Sequence, residues 1–196
     1  YKRQVLLRSI VNRHTSRIEQ THGLCIHYDK LEMNGLNEIY LQGLSVIPEQ
    51  RDTLFTLAST RIKLNFWKLL TKKIEVSYIA AEDIRLTFTK QDSIANYDFL
   101  FKKDQKVPSQ TSGQTVTEIN YAERINKLLN LCYGFLPENG QLKQIYITER
   151  KDSNFVSMVF PSFIIKENKF RSTIEIHEDT LTRHWIADGE LKQSAN

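Results

Sequence analysis

Short blocks in which apolar and polar residues alternate recur along most of this chain, and that period of two restricts the fold more than any other feature. The stretch Arg61-Ile62-Lys63-Leu64-Asn65-Phe66 alternates without a break. Leu24, Ile26 and Tyr28 make an earlier block, followed by Leu31 and Met33. Ile39 and Leu41 lead, after an interruption near Gly43, to Leu44 and Val46. Ile74, Val76 and Tyr78 form one further block, and Ile84, Leu86 and Phe88 another. After residue 140 the pattern resumes with Leu142, Ile145 and Ile147, then Phe155 to Ile165. Phe170, Ser172, Ile174 and Ile176 follow, and Trp185, Ala187 and Leu191 close the series. Successive side chains of a strand point to opposite faces, so each block predicts a strand with one wet and one dry face. The links before residue 90 are too short for crossover helices. They predict an antiparallel meander of about five strands.

Punctuation supports this reading. Asn34-Gly35, the run Pro48-Glu49-Gln50-Arg51-Asp52 and Glu167-Asn168-Lys169 read as turns. Trp67 to Lys72 reads as a helical turn or loop, and Pro161 predicts a strand that is bent or at an edge. Two segments have helical spacing instead. In Lys2 to Thr21, the residues Leu7, Val11, His14 and Ile18 fall on one face, and Gly23 follows as a C-cap. Behind a cap at Thr117, Ile119, Ala122, Ile125, Leu129, Cys132 and Tyr133 form a second stripe, which stops before Pro137. The polar segment 102–116 between them reads as a linker. The fold class expected is α+β: a mainly antiparallel, curved, groove-like β-meander with two amphipathic helices. Residues 1–101 and 117–196 would each be a helix followed by a meander, packed together as one unit.

The chemistry of catalysis is not apparent. Residues His14, His22, His27, His177 and His184 form no metal-binding spacing. Glu82-Asp83 and Glu178-Asp179 are adjacent carboxylates, better suited to turns than to acid–base work. No nucleophile elbow, P-loop or dinucleotide fingerprint occurs. Cys25 and Cys132 lie in apolar segments and read as buried packing residues, either free or paired. No catalytic, cofactor or metal site is expected, and the chain reads as non-enzymatic. With 27 basic and 23 acidic residues the formal charge is only +4. Lys72-Lys73 and Lys102-Lys103 are pairs rather than tracts, which argues against nucleic acid as a partner. No run approaches the ~20 apolar residues of a membrane span. The chain opens on Tyr1, and the expectation is that a signal peptide or membrane anchor precedes it in the native protein.

One family resemblance is carried by Arg8 to Lys90. A helix ends in Thr21-His22-Gly23, a strand holds Tyr28-Asp29-Lys30-Leu31, and Ile39-Tyr40-Leu41-Gln42-Gly43-Leu44-Ser45-Val46-Ile47-Pro48 follows. Arg51-Asp52-Thr53-Leu54-Phe55, the run Arg61 to Leu70, Lys73-Ile74-Glu75-Val76 and Ile84-Arg85-Leu86-Thr87-Phe88 complete it. In outline this resembles the start of AsmA-like proteins, and the Pro-Glu-x-Arg-Asp-Thr-Leu run resembles their Bacteroidetes-type branch. Residues 118–192 fit more loosely. The resemblance implies an uncharacterised envelope protein, anchored in the inner membrane and facing the periplasm. It implies a long apolar β-groove related to chorein-type bridge-like lipid transfer proteins, with a role in phospholipid transport or outer-membrane biogenesis and homeostasis. It transfers no catalytic residues and no cofactor.

On this reading the candidate groove residues are Ile39, Leu41, Ile62, Leu64, Phe66, Ile74, Val76, Leu86 and Phe88, with phospholipid acyl chains as the partner. Against it stands an apolar face covered by the two helices, leaving a protein-interaction or scaffold module of a larger membrane-anchored protein. The oligomeric state is left open by the sequence.

Overall fold

A computed structural model describes residues 2–71, 75–91, 94–98, 137–151, 154–178 and 181–190. The expected linker, the second helix, Ile74 and Cys132 lie outside the described residues. The chain starts with α1 (Lys2–His22), then β1 (Leu24–His27), β2 (Lys30–Asn34), β3 (Glu38–Pro48) and β4 (Phe55–Leu64). A single helical turn, α2 (Phe66–Leu70), leads to β5 (Val76–Gln91) and the short β6 (Ile94–Ala95). Beyond residue 137 come β7 (Gly140–Lys151), β8 (Asn154–Lys166), β9 (Lys169–Glu178) and β10 (Leu181–Glu190).

These ten described strands make one open, curved sheet in the order β1-β3-β4-β5-β7-β8-β9-β10. β2 lies beside β1 on the outer edge of β3, and β6 pairs with the end of β5. All pairings are antiparallel except β5–β7, so the sheet is mixed. That parallel pair joins the strands before residue 98 to those after residue 137 in one sheet. The alternation does not announce it, because period two is the same in both directions.

The structure corrects several expectations. The blocks at 76–78 and 84–88 belong to one sixteen-residue strand, β5. Glu82-Asp83 therefore lies inside a strand, not a turn. Residues 55–60 extend β4 well before the alternation at Arg61. Pro161 sits in β8, an interior strand, at a bulge between Val159 and Phe163 where no ladder N–H is required. The hydroxyl of Ser172, itself 3% exposed, donates to the Ser162 carbonyl there at 2.9 Å. Elsewhere the punctuation holds. Gly23 caps α1 at φ 62°, its N–H donating to the Glu19 carbonyl at 2.8 Å. Glu167 and Asn168, both at positive φ, close a two-residue β8–β9 hairpin.

A seam crosses the sheet. The ladders skip Gly43/Ala58, Ala58/Asp83, Asp83/Gln144 and Gln144/Pro161 in turn, while the register on each side stays constant. Gly43, Asp83 and Gln144 have φ of 67°, 53° and 53°. A left-handed residue inside a strand twists the chain and reverses the alternation. The sequence reverses at the same place. Ile39 and Leu41 give way to Leu44 and Val46, Ile79 and Ala81 to Ile84 and Leu86, and Leu142 to Ile145. Without the seam, the change of phase would turn every apolar residue beyond it to the wet face. With it, the apolar residues of both halves share one face.

Candidate functional site

Register alignment shows what this face consists of. Ile26, Val46, Phe55, Leu86, Ile147, Met158 and Ile176 are successive partners across seven strands, and the row ends at Arg183 of β10. At ~4.8 Å per strand the apolar row is about 29 Å long. All seven side chains are half-buried. A parallel row next to the seam contains Leu44, Leu57, Ile84, Ile145 and Phe160. On the other side of the seam lie Met33, Ile39, Ile62 and Ile79 in one row, and Leu31, Leu41, Thr60, Ala81, Leu142 and Phe163 in the next. Thr60 is the polar intruder, and its hydroxyl is satisfied by the Ala80 carbonyl at 3.0 Å.

The opposite face carries paired charges. Glu38 meets Arg61 at 3.5 Å and Lys63 at 3.7 Å, and Lys63 lies over the Tyr78 ring. Arg85 binds Asp83 at 2.9 Å and stacks on Tyr146. Glu175 lies between His177 and His184, at 3.8 and 3.7 Å, and His27 stands 3.3 Å from Asp29. Among the described residues no group of His, Cys, Asp and Glu has the geometry to hold a metal ion.

Most of the expected groove residues fall on the apolar face. Ile39 and Ile62 are direct partners, Leu41 neighbours them in the next row, and Leu64 pairs with Val76. Leu86 sits in the long row. Phe88 is roofed instead. Its ring meets Tyr97 edge-on at 5.4 Å, in a small core with Leu54 and Ala95. Asn96, 2% exposed, pins this roof by donating to the Thr87 carbonyl and accepting from the Thr89 N–H. Phe66 is not in the sheet at all. It begins α2, where Asn65 accepts the Lys68 N–H and ends the strand pattern. The sequence reading overlooked Leu44, Leu57, Ile79, Ile145, Ile147, Met158, Phe160 and Ile176 as members of the same face. The phase change at each strand's midpoint was the signal that could have joined them. Cys25 is exposed, since its neighbours Leu24 and Ile26 take the inward positions.

α1 does not roof the face. It packs on β1 and β2, at the edge of the sheet, and among its described side chains the inward ones are Gln4, Leu7, Val11, Thr15 and Glu19, while His14 and Ile18 stay exposed. The Gln4 amide donates to the Leu31 carbonyl and accepts the Met33 N–H at 3.0 Å. Glu19 accepts the Ile26 N–H at 2.9 Å. The helix thus satisfies edge backbone groups with its own side chains. β10, at the opposite edge, pairs among the described residues with β9 alone and exposes Leu181, Trp185 and Ile186. No helix among the described residues is long and apolar enough to cross a membrane.

Comparison of the chain with protein-family models and with curated proteins returns no match.

Proposed function

We propose that this chain is a non-catalytic segment of an AsmA-like envelope protein, and that its apolar sheet face carries phospholipid acyl chains. One observation supports this above the others: a half-buried apolar row that runs across seven strands without a polar residue. A sheet face of this extent attracts hydrocarbon, each buried methylene contributing ~0.8 kcal/mol. In this reading the segment works in phospholipid transport or outer-membrane homeostasis, on the periplasmic side of an inner membrane to which the full protein is anchored. Native mass spectrometry of protein purified without detergent tests it. Phospholipid adducts are expected, and they are expected to vanish in Leu86→Glu/Ile147→Glu. A lipid-free wild type that gains no adduct when mixed with phospholipid vesicles refutes the reading.

A second reading, a protein-interaction module, draws on β10. Its backbone groups on the outer side are unpaired among the described residues, and Trp185 and Ile186 are 58% and 68% exposed on its two faces. Such an edge accepts an added strand.

A further inference from the structure

The net charge of the chain sits in one element. Of its 27 basic and 23 acidic residues, Lys2, Arg3, Arg8, Arg13 and Arg17 and a single carboxylate, Glu19, fall within α1. That leaves 22 of each sign for the rest, so the whole formal charge of +4 belongs to α1. Arg8, Arg13 and Arg17 are exposed, and none of the three forms an ion pair among the described residues. Glu19 is turned inward, where it accepts the Ile26 N–H. On the charged face of the sheet, by contrast, Arg61, Lys63 and Arg85 each have a carboxylate within 3.7 Å. Like charges four residues apart on a helix repel, as at Arg13 and Arg17, and cations in a first turn without acidic residues, as at Lys2 and Arg3, oppose the helix dipole. This distribution works against α1 as a helix on its own and favours it beside an anionic partner.

The packing of α1 gives the charge a direction. Each residue of a helix is turned ~100° from the last, so residues two apart point nearly opposite ways. Arg13 stands two from Val11 and two from Thr15, and Arg17 two from Thr15 and two from Glu19. Since Val11, Thr15 and Glu19 face β1 and β2, Arg13 and Arg17 point away from the sheet. The 21 residues of α1 make a rod about 31 Å long along the sheet edge. Val5 and Ile18 are exposed among its cations, and it has no Phe, Tyr or Trp. Aliphatic residues among cations suit the boundary between phosphate headgroups and hydrocarbon, whereas aromatic side chains are what stack on the bases of a nucleic acid.

We infer that α1 is a docking surface for an anionic phospholipid bilayer, with Arg13 and Arg17 turned to the headgroups. The inference stands on the charge and placement of α1 and does not rest on the acyl reading above. It also orients the sheet. β1 and β2, on which α1 packs, begin the apolar rows at Ile26, Leu31 and Met33, so this end of the face lies nearest the bilayer. Co-sedimentation of the full chain with vesicles tests it. Vesicles of phosphatidylglycerol and phosphatidylcholine in equal parts are expected to bind at least about tenfold more tightly than phosphatidylcholine alone, and the preference is expected to fall as salt is added. Arg13→Gln/Arg17→Gln is expected to weaken binding to the anionic vesicles by about tenfold or more. Lys166→Gln/Arg171→Gln removes the same charge from exposed positions of β8 and β9 and is expected to leave that binding nearly unchanged. Equal binding to the two kinds of vesicle overturns the inference and leaves the acyl reading standing, because hydrocarbon does not distinguish the headgroups. Equal losses in the two double variants overturn it as well, since attraction would then follow total charge rather than α1. A short DNA duplex that displaces the chain from the anionic vesicles at lower concentration than free vesicles do makes nucleic acid the partner and overturns it too.

Discussion

Gly43 illustrates how much one residue decides in this sheet. Its φ of 67° lies in the left-handed region, and a Cβ there would stand 1.8 Å from Oδ2 and 2.4 Å from Cγ of Asp29. Asp29 is held close because its N–H donates to the Gln42 carbonyl at 3.0 Å. Gly35 has nearly the same φ, 63°, but open space around it. The left-handed conformation alone costs a residue with a Cβ ~1–2 kcal/mol. Gly35→Ala is therefore expected to destabilise the protein by about 1 kcal/mol and Gly43→Ala by about 2 kcal/mol or more, read from urea unfolding midpoints. Equal losses at the two positions would mean that the Asp29 contact relaxes at no cost. Asp83 and Gln144 occupy the same seam without being glycines, which is why nothing in their residue type marked it. The interruption near Gly43 was legible. That it continues across five strands depends on register, which no single segment of sequence contains.

At the scale of elements, the sequence was most informative where the cause is local. Gly23 ends α1, Glu167-Asn168 turns the β8–β9 hairpin, and alternate apolar residues make the strands. It misled where a neighbour in space decides the outcome. Leu7, Val11, His14 and Ile18 share a face of α1 by spacing, yet the helix turns Gln4, Thr15 and Glu19 inward with Leu7 and Val11. The reason is the unpaired edge of β1 and β2, which needs hydrogen-bond partners more than it needs apolar cover. Amide hydrogen exchange can test this role. Gln4→Ala is expected to speed exchange at the Met33 amide, and Glu19→Ala at the Ile26 amide, each by about fivefold from the loss of ~1 kcal/mol. If exchange at these two amides is no faster than in the unaltered protein, α1 does not protect the edge through these side chains. Phe66 shows a related limit. The alternation runs on through it, but the Asn65 cap has already started a helical turn.

For the whole molecule, the central point is that one apolar face survives a reversal of alternation in five strands. The apolar residues of all five change parity at one row, and in β3, β5 and β7 a left-handed residue, Gly43, Asp83 or Gln144, stands at that row, so that the two changes cancel there. The sheet is flanked at one edge by α1 and ends at the other in β10. The parallel β5–β7 pair, which brings Ile145 and Ile147 beside Ile84 and Leu86, was beyond the reach of periodicity, since it depends on a connection of 48 residues, 92–139. The most direct test places a photo-crosslinking amino acid at Leu86 or Ile147 on the apolar face, and at Arg85 or Thr148 on the opposite one, in protein exposed to radiolabelled phospholipid. The account predicts labelling from Leu86 and Ile147 and none above background from Arg85 and Thr148. Labelling that does not distinguish the two faces, or that is absent from all four positions, would contradict it.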